Sequence, residues 1–112
     1  MPDCIFCKIV AGELPSQKVY EDDLVLVFHD IQPAAPVHLI VIPKAHIASA
    51  AELNESTEAL VGHLFTVIAR TMKGMGVDDY RVATNCGAGA GQTVFHLHFH
   101  VFAGVVMRGK WV

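Results

Sequence analysis

The chain has 112 residues, of which 53% are apolar, and a formal net charge of −3 at pH 7. A chain of this length fits a single compact domain, residues 1–112, and its apolar stretches are far shorter than the ~18 residues that span a bilayer. The negative charge and the absence of a lysine and arginine cluster exclude duplex DNA or RNA as an expected partner.

The amino-terminal segment bears on localisation and on the state of the cysteines. Met1–Cys4 has neither the basic region nor the long apolar run of a secretory signal, which predicts a cytoplasmic protein. The three cysteines of the chain are therefore expected to be thiols or metal ligands rather than disulfides. Residues 4–11 space their apolar side chains as a short helix or an irregular packed arm would.

Three strands are predicted next along the chain. Val19–Glu21 and Leu24–His29 are rich in β-branched and aromatic residues, and the acidic turn between them is typical of a hairpin. Val37–Ile42 is a nearly continuous apolar run of strand length that ends at Pro43. Together these runs predict the first three strands of a sheet.

The longest amphipathic pattern lies in the middle of the chain. Apolar side chains recur about once per helical turn from Leu60 to Met75, and Asn54 precedes them as a candidate helix cap. Gly74 and Gly76 are residue types that commonly end a helix. This pattern predicts one long helix that packs against the sheet.

Two further strands, Tyr80–Asn85 and Val94–Phe102, flank a glycine-rich loop, Gly87–Gln92. With the earlier elements they predict an α+β fold, in which a five-stranded antiparallel sheet carries one long and one short helix. The apolar content is high for so short a chain, which indicates that a partner covers part of the surface. We expect that partner to be a second copy, in a homodimer.

His96, His98 and His100 alternate with apolar residues near the end of the chain. On a strand, this alternation places the three imidazoles on one face, with about 6.6 Å between successive Cα atoms. Three uses are open: a polar strand face, ligands for a catalytic metal such as zinc, or a neutral imidazole that attacks phosphorus. The preceding glycine loop favours the last use, because backbone N–H groups without a neighbouring Cβ can close around a phosphate.

The residues from His96 to Phe102 match the pattern His-φ-His-φ-His-φ-φ, where φ is apolar, and the chain here resembles the histidine-triad family. The resemblance extends through VYEDDLVLVFHDI, PVHLIVIPKAHI and GAGQTVFHLHFHVFAG, and is greatest for the nucleoside phosphoramidase branch. It implies a histidine-triad fold whose sheet extends edge to edge across a homodimer. It also implies a hydrolase of purine nucleoside phosphoramidates or related nucleotidyl conjugates, with no catalytic cofactor.

The resemblance assigns the catalytic residues. His98 matches the family's nucleophile, which forms a covalent nucleotidyl-histidine intermediate. Its other ring nitrogen is expected to donate to a backbone carbonyl, by position that of His96. His100 is expected to donate to phosphate oxygens, and Thr93 stands where the branch has a serine that contacts the leaving group. His38 matches a fourth, more distant histidine of the proton network, or alternatively is a hydrogen-bonded core histidine.

The resemblance also implies a nucleotide site. Asp30 matches the carboxylate that accepts hydrogen bonds from the ribose hydroxyls, although an aspartate before Pro33 also suits a turn. The residues expected at the phosphate are Asn85, Gly91, Gln92, Thr93, His98 and His100. For Asn85 the alternative is a turn cap. The apolar slot for the purine base is expected to contain Ile5, Phe6, Phe28, Ile31 and Leu39.

Four residues match the structural zinc site of some family members: Cys4, Cys7, His46 and His96. Two cysteines at CxxC spacing supply half of a tetrahedral set, and the two histidines complete it. Zinc held there would pin the amino-terminal arm to the sheet and leave His98 free. The alternative is that both thiols pack as small apolar groups.

Three other functions remain open from the sequence. A nucleotide-responsive regulatory or scaffold protein would retain the binding site while its hydrolysis is vestigial. A dinucleoside polyphosphate hydrolase would use the same nucleophile on a different leaving group, and a metal-dependent enzyme would use the three histidines as ligands. Trp111 in the C-terminal tail is not assigned to the site, since a terminal aromatic residue more often packs or frays.

Overall fold

The computed structural model describes residues 3–108, which contain two α-helices and five β-strands. The elements are α1, Ile5–Val10; β1, Lys18–Glu21; β2, Val25–His29; β3, Val37–Pro43; α2, Glu58–Gly74; β4, Arg81–Ala83; and β5, Phe99–Ala103. Short 3₁₀ turns occur at Ala50–Glu52, Glu55–Thr57 and Ala88–Ala90. No helix within residues 3–108 is long and apolar enough to cross a membrane. Trp111 lies outside the described residues.

The five strands form one antiparallel sheet in the order β1-β2-β3-β5-β4. This confirms the predicted α+β fold, with one long and one short helix. The register between β3 and β5 places His38 opposite Phe102 and Ile40 opposite His100. β4 lies at one edge of the sheet, where pairing with a second copy would extend it. That homodimer stays a prediction.

Each face of the sheet carries its own apolar core, because successive side chains of a strand point to opposite faces. The buried core on the α2 face consists of Leu64, Val67, Ile68 and Met72 of the helix with Val25, Val27, Leu39, Val41, Leu97, Phe99 and Val101. The core on the α1 face consists of Cys4, Phe6, Ile9, Leu26, Phe28, Ile40 and Ile42. The alternation and register place His38 and His100 on the α1 face, the same face as Ile40.

The predicted cap residue, Asn54, caps a 3₁₀ turn at Glu55–Thr57, and α2 follows this turn at Glu58. The side chain of Asn54 accepts the N–H of Ser56 at 2.9 Å and so caps the 3₁₀ turn that leads directly into α2. The helix ends at Gly74, and Gly76 just beyond it has a φ of +73°. A left-handed residue is favourable there because glycine has no Cβ to clash with the preceding turn.

The last strand is shorter than predicted, since β5 begins at Phe99 rather than at Val94. In the segment before it, the Leu97 N–H donates to the Ile47 carbonyl at 2.6 Å, and Nε2 of His96 lies 2.8 Å from the Pro43 carbonyl. These bonds tie the segment to the end of β3 and the loop after it instead of to a neighbouring strand. Only His100 of the three histidines therefore lies within β5, although all three imidazoles still point away from the α2-face core that contains Leu97, Phe99 and Val101. β4 is likewise shorter than the predicted strand of residues 80–85.

The expectation that Leu39 lines the base slot is wrong. Leu39 is fully buried on the α2 face of the sheet. Phe28 pairs with Ile40, and therefore these two side chains share the α1 face. Ile40 takes the place expected for Leu39, because neighbours along a strand point in opposite directions.

Candidate active site

A cleft of about 390 Å³ opens on the α1 face of the sheet; we refer to it as the nucleotide cleft. It brings together nine of the residues predicted for catalysis or nucleotide binding: Ile5, Phe6, Phe28, Asp30, Ile31, Gly91, Thr93, His98 and His100. Apolar walls come from α1, β2 and β3, through Ile5, Phe6, Ile9, Phe28 and Ile40. The lining of the cleft is therefore largely apolar, and it also contains two imidazoles and a carboxylate.

His98 lines the nucleotide cleft and is largely buried. Its Nδ1 lies 2.7 Å from the carbonyl oxygen of His96. A carbonyl oxygen can only accept a hydrogen bond, so Nδ1 carries the proton and Nε2 keeps an unshared electron pair. The ring of Phe6 packs edge-to-face against the imidazole, with 5.1 Å between the centroids. The local fold thus fixes both the tautomer and the plane of the His98 ring.

Two linked hydrogen bonds set the tautomers of His38 and His100. The Ala34 N–H donates to Nδ1 of His38 at 3.0 Å, so that nitrogen carries no proton. The proton of neutral His38 therefore lies on Nε2, which is 2.8 Å from Nδ1 of His100 and donates to it. The proton of neutral His100 must then lie on its own Nε2.

Burial keeps both of these histidines neutral. Desolvation lowers the pKa of His38, and the negative charge of Asp30 offsets only part of that effect. Desolvation also lowers the pKa of His100, and the neighbouring His98 and His38 lower it further. A neutral His100 of this tautomer offers an N–H donor at the cleft without carrying a full charge.

Asp30 lies immediately after β2, between a turn and His38. Its Oδ1 accepts the N–H of Gln32 at 2.8 Å, the bond expected of an aspartate that begins a turn. Its Oδ2 lies 3.4 Å from Nε2 of His38. Asp30 also lines the nucleotide cleft, with 18% of its side chain exposed. Its turn-forming role is therefore compatible with binding a hydroxyl group in the cleft.

The glycine loop is folded on itself. Gly87 and Gly91 have φ values of +91° and +94°, which favour glycine. The N–H groups of Ala90, Gly91 and Gln92 donate to carbonyls within the loop, each at 3.1 Å. The sequence predicts that N–H groups of this loop face a phosphate, but in the 3₁₀ turn these three N–H groups donate to carbonyls of the loop itself. Gly91 still lines the cleft, where the lack of a side chain leaves room for a ligand.

Gln92 is a structural residue of this loop. Its side-chain Oε1 accepts a backbone N–H of the loop at 2.8 Å, and its Nε2 donates to the carbonyls of Ala48 at 2.8 Å and Val94 at 3.0 Å. Because its amide is engaged and the residue is only 3% exposed, the expectation that this amide contacts phosphate is corrected. Asn85 does not line the cleft either, and its Nδ2 lies beside Gly91.

Cys4, Cys7, His46 and His96 form a second cluster, in which the possible ligand atoms lie within 4.8 Å of one another. Nδ1 of His96 lies 3.3 Å from Sγ of Cys4 and 3.5 Å from Sγ of Cys7. Nδ1 of His46 lies 3.3 Å from Sγ of Cys7. The Pro43 carbonyl accepts the proton on Nε2 of His96, so the electron pair on Nδ1 faces the thiols.

The chemistry of this cluster fits a zinc ion. Two sulfur and two imidazole ligands make a common tetrahedral zinc set. Metal-binding histidines usually donate their other ring N–H to a carbonyl or carboxylate, as His96 does here. The four residues come from the start of α1, the loop after β3 and the segment before β5. A metal bound there would hold these three parts of the chain together.

Comparison with known proteins places this geometry in a family. The sequence profile described as "Scavenger mRNA decapping enzyme C-term binding" matches residues 3–110. Over 102 residues the chain is 45% identical to the protein HitA of Neisseria gonorrhoeae, covering 90% of this chain and 95% of HitA. The chain belongs to the histidine-triad family.

Solved structures of histidine-triad proteins share the whole fold. A HIT family hydrolase from Clostridium thermocellum is 46% identical with a TM-score of 0.96, and the match covers 100% of this chain and 99% of that one. A histidine triad protein from Clostridium difficile is 46% identical with a TM-score of 0.94, covering 98% and 97% of the two chains. The resemblance to the histidine-triad family is therefore confirmed.

The three histidines of the histidine-triad motif have three different surroundings. His96 faces the thiols of the second cluster, His98 lines the nucleotide cleft, and His100 pairs with His38. Within residues 3–108, no group of possible metal ligands contains all three of them. A single metal ion held by the whole triad, one of the three uses open from the sequence, does not match this arrangement.

Two contributions to the site of this histidine-triad protein have no clear signal in the sequence. One is the N–H of Ala34, because any residue except proline carries such a donor. The other is the lining of the cleft by Leu14, Pro15 and Ser16, which follow α1 and precede β1. The prolines at positions 33 and 36 indicate a turn but do not say which side chain that turn contacts.

Proposed function

We propose that this protein hydrolyses purine nucleoside phosphoramidates, or related nucleotidyl conjugates, through a covalent nucleotidyl intermediate on His98. The observation that carries the proposal is the hydrogen bond from Nδ1 of His98 to the His96 carbonyl, which leaves Nε2 free as a nucleophile in the cleft. Two solved relatives are named HIT family hydrolase, which supports a hydrolytic reaction.

The first step transfers the nucleotidyl group to the enzyme. The electron pair on Nε2 of His98 attacks the α-phosphorus, and a P–N bond to the imidazole forms. The bond between phosphorus and the amine nitrogen breaks, its electron pair stays on that nitrogen, and a solvent proton converts it to the free amine. Thr93, which lines the cleft, has a hydroxyl group that can relay this proton.

The second step restores the enzyme. Water attacks phosphorus, the bond to Nε2 of His98 breaks, and the electron pair returns to the imidazole. The water molecule loses a proton to solvent, and the nucleoside monophosphate leaves. Covalent catalysis of this kind divides one difficult displacement into two easier ones.

His100 stabilises the charge on the phosphate oxygens in both steps. Its Nε2–H is available because Nδ1 accepts from His38. A donor that is held in place by the fold needs little reorganisation as phosphorus becomes five-coordinate. His38 acts behind it as a positioning residue, since it contacts His100 rather than the phosphate.

The lining of the cleft offers partners for both halves of a purine nucleoside. The carboxylate of Asp30 can accept hydrogen bonds from both ribose hydroxyl groups. The walls formed by Phe6, Phe28 and Ile40 suit a flat apolar base, and Phe6 also packs against His98. Base, ribose and phosphate would then lie in sequence from the apolar walls to the imidazoles.

The test compares the parent protein with His98→Ala on adenosine and guanosine phosphoramidates. We expect kcat/KM to fall by ~10³-fold or more, while AMP binding measured by calorimetry and the thermal melt change little. Mass spectrometry of the parent, quenched during turnover, should detect a nucleotidyl adduct on His98. Full turnover by the variant would overturn the nucleophile assignment.

The same assays separate the remaining functions. Diadenosine polyphosphates in the substrate panel test the polyphosphate hydrolase alternative directly. Tight nucleotide binding with no turnover of any substrate would favour a regulatory or scaffold protein. Loss of turnover on exhaustive chelation, without loss of the fold, would favour a metal-dependent enzyme.

We also propose that Cys4, Cys7, His46 and His96 hold a structural zinc ion. The thiol and imidazole donors, and the carbonyl partner of His96, support this assignment. Bound zinc would join α1 to the sheet and so stabilise the wall of the cleft that contains Phe6. No step of the proposed reaction uses the metal.

A further inference from the structure

The backbone of His98 lies just beyond the end of the regular sheet. Ala83 of β4 pairs with His100 of β5, and continuing this register by two residues would pair Asn85 with His98. Both of those residues fall outside the two strands. Among the backbone hydrogen bonds that involve residues outside the helices and strands, none within residues 3–108 ends at the carbonyl of His98. Sheet pairing therefore does not by itself fix the backbone at His98.

A side chain donates to this carbonyl instead. The hydroxyl group of Thr84, the residue directly after β4, lies 2.7 Å from the carbonyl oxygen of His98. A carbonyl oxygen can only accept, so the hydroxyl group donates, and the distance is typical of an O–H···O hydrogen bond. Thr84 is half-buried and precedes Asn85, whose amide nitrogen lies beside Gly91. The bond thus ties His98 to the end of β4 and to the segment that leads into the glycine loop.

We infer that Thr84 is a positioning residue for the nucleophile: its hydroxyl group fixes the backbone of His98 and thereby the direction in which Nε2 points. This inference rests on the proposed function, because it needs His98 to attack phosphorus. Thr84 does not line the nucleotide cleft, so we assign it no contact with the substrate. Its effect on the reaction passes through His98.

Two hydrogen bonds at different points of His98 together define the position of its Nε2. The His96 carbonyl holds Nδ1 at 2.7 Å, and Thr84 holds the backbone carbonyl at 2.7 Å. The Leu97 bond to Ile47 holds the same segment from the loop after β3, whereas Thr84 holds it from the side of β4. Without Thr84 the ring keeps its tautomer, but the backbone can rotate and carry Nε2 away from the line of attack. Because a displacement of about 1 Å can cost about 10²-fold in rate, loss of this bond should lower turnover without removing the nucleophile.

The chemistry of position 84 can be separated from its shape. A valine there would have nearly the same shape as threonine and would suit the end of a strand equally well. Its second methyl group would face the carbonyl without donating, and the carbonyl of a buried residue would lose its donor. Serine keeps the hydroxyl group and loses only the methyl group. The hydrogen bond and the packing of the side chain are thus tested by different substitutions.

The experiment uses the full chain, as purified with any bound metal, and an adenosine phosphoramidate as the substrate. We expect Thr84→Val to lower kcat by about three- to tenfold and to change KM by less than about twofold, since the residues that bind the nucleoside are untouched. Thr84→Ser should keep kcat within about twofold of the parent value. Thr66→Val is the matched control, because the Thr66 hydroxyl donates to the Gly62 carbonyl at an exposed position of α2.

Magnetic resonance gives a readout that does not depend on turnover. In protein labelled with nitrogen-15 histidine, the Nδ1–H of His98 should give a proton resonance that is missing in His98→Ala. We expect this proton to exchange with water about three- to tenfold faster in Thr84→Val, because a less restrained backbone opens the bond to His96 more often. Thr84→Ser and Thr66→Val should exchange it at the rate of the parent.

Three results would overturn the positioning role: an unchanged kcat in Thr84→Val, an equal loss in Thr84→Val and Thr84→Ser, or a loss that falls on KM alone. If Thr84→Val folds poorly, Thr84→Ala removes the same donor without placing a methyl group against the carbonyl, and is compared with Thr84→Ser in the same way. Failure of the proposed function looks different, since the parent would then turn over no phosphoramidate, or His98→Ala would retain the activity of the parent. The exchange rate of the Nδ1 proton still tells in that case whether Thr84 holds the ring of His98.

Discussion

The backbone N–H of Ala34 donates a hydrogen bond to Nδ1 of His38 at 3.0 Å. This donor cannot reverse its role, so it determines which nitrogen of His38 carries the proton, and through His38 which nitrogen of His100 does. Ala34, whose N–H decides both tautomers, is exposed, and its methyl side chain has no polar group. The loop between β2 and β3 therefore acts on the site through a backbone group at Ala34 as well as through the side chain of Asp30.

Ala34→Pro removes that N–H and should lower kcat by about three- to tenfold with little change in KM, since one hydrogen bond contributes about 0.5–1.5 kcal/mol. Ala34→Gly keeps the donor and is the matched control. Steady-state kinetics on an adenosine phosphoramidate measure both. If the proline variant retained the parent kcat while it was folded, the tautomer would not depend on Ala34.

The pH dependence of kcat also tests whether the Ala34 N–H controls the tautomer of His38. In the parent, burial lowers the pKa of His38, and therefore the neutral tautomer persists below the ordinary histidine range. Without the Ala34 donor, Nδ1 of His38 is free to take a proton, which raises that pKa. The acid limb of kcat should then shift to higher pH in Ala34→Pro. An unshifted limb would argue against the proposed role.

Gly104 and Pro36 are in close approach at the end of β5. Gly104 has a φ of +100°, and a Cβ at this position would lie 2.7 Å from Cβ of Pro36. Gly104→Ala should therefore lower the free energy of unfolding by about 1–3 kcal/mol, through backbone strain and the clash. Gly62→Ala is the contrast, because Gly62 is exposed inside α2 with open space around it, and should stabilise by about 0.5–1 kcal/mol. Urea denaturation measures both, and equal effects would contradict this account.

Removal of the proposed zinc ion should lower the thermal stability of the protein and leave kcat nearly unchanged. We expect elemental analysis to find about one zinc ion per chain. Chelation, or Cys7→Ser, should lower Tm by more than about 5 °C, while kcat changes little at temperatures where the protein stays folded. Cys86→Ser is the control, since Cys86 is exposed and outside the cluster. Carefully purified protein without zinc would remove this claim and leave the His98 chemistry untouched.

Asp22 joins the β1–β2 hairpin to α2. Its Oδ2 lies 2.6 Å from Nε2 of His63, and its Oδ1 accepts the N–H groups of Leu24 and Val25, each at 2.8 Å. Partial burial raises the pKa of Asp22, but the hydrogen bonds together outweigh it and hold the pKa well below the ordinary value.

The direction of the pH effect follows from this shift. Because the folded-state pKa is lower than the unfolded one, the stabilisation is complete above about pH 4 and is lost as the pH falls towards the folded-state value. Asp22→Asn should lower the free energy of unfolding at pH 7 by about 1–3 kcal/mol and flatten its dependence on pH below 4. Asp23→Asn, at the exposed neighbouring position, is the control. Parallel pH curves for Asp22→Asn and the parent would contradict the prediction.

Local pattern was enough to identify the family and most of the fold. The alternation around His98, the once-per-turn apolar repeat of α2 and the continuous apolar run of β3 each depend on neighbours in the chain. Such patterns involve residues close in the sequence, and they are visible because each element buries one face and leaves the other more polar. The CxxC spacing of Cys4 and Cys7 is also local, whereas the resemblance to the family identified His46 and His96 as their candidate partners.

Several contacts of the site depend on the tertiary structure and leave no pattern in the sequence. The segment before β5 bonds to the Pro43 and Ile47 carbonyls, which turns His96 towards the thiols and leaves His98 at the cleft. The side-chain amide of Gln92 already forms hydrogen bonds to the backbone of Gly87 and Ala48. The hydrogen-bond donor to His38 is the backbone N–H of Ala34. Hydrogen bonds between residues distant in the chain depend on where backbone groups meet after folding, and a backbone donor or acceptor is nearly the same in every residue.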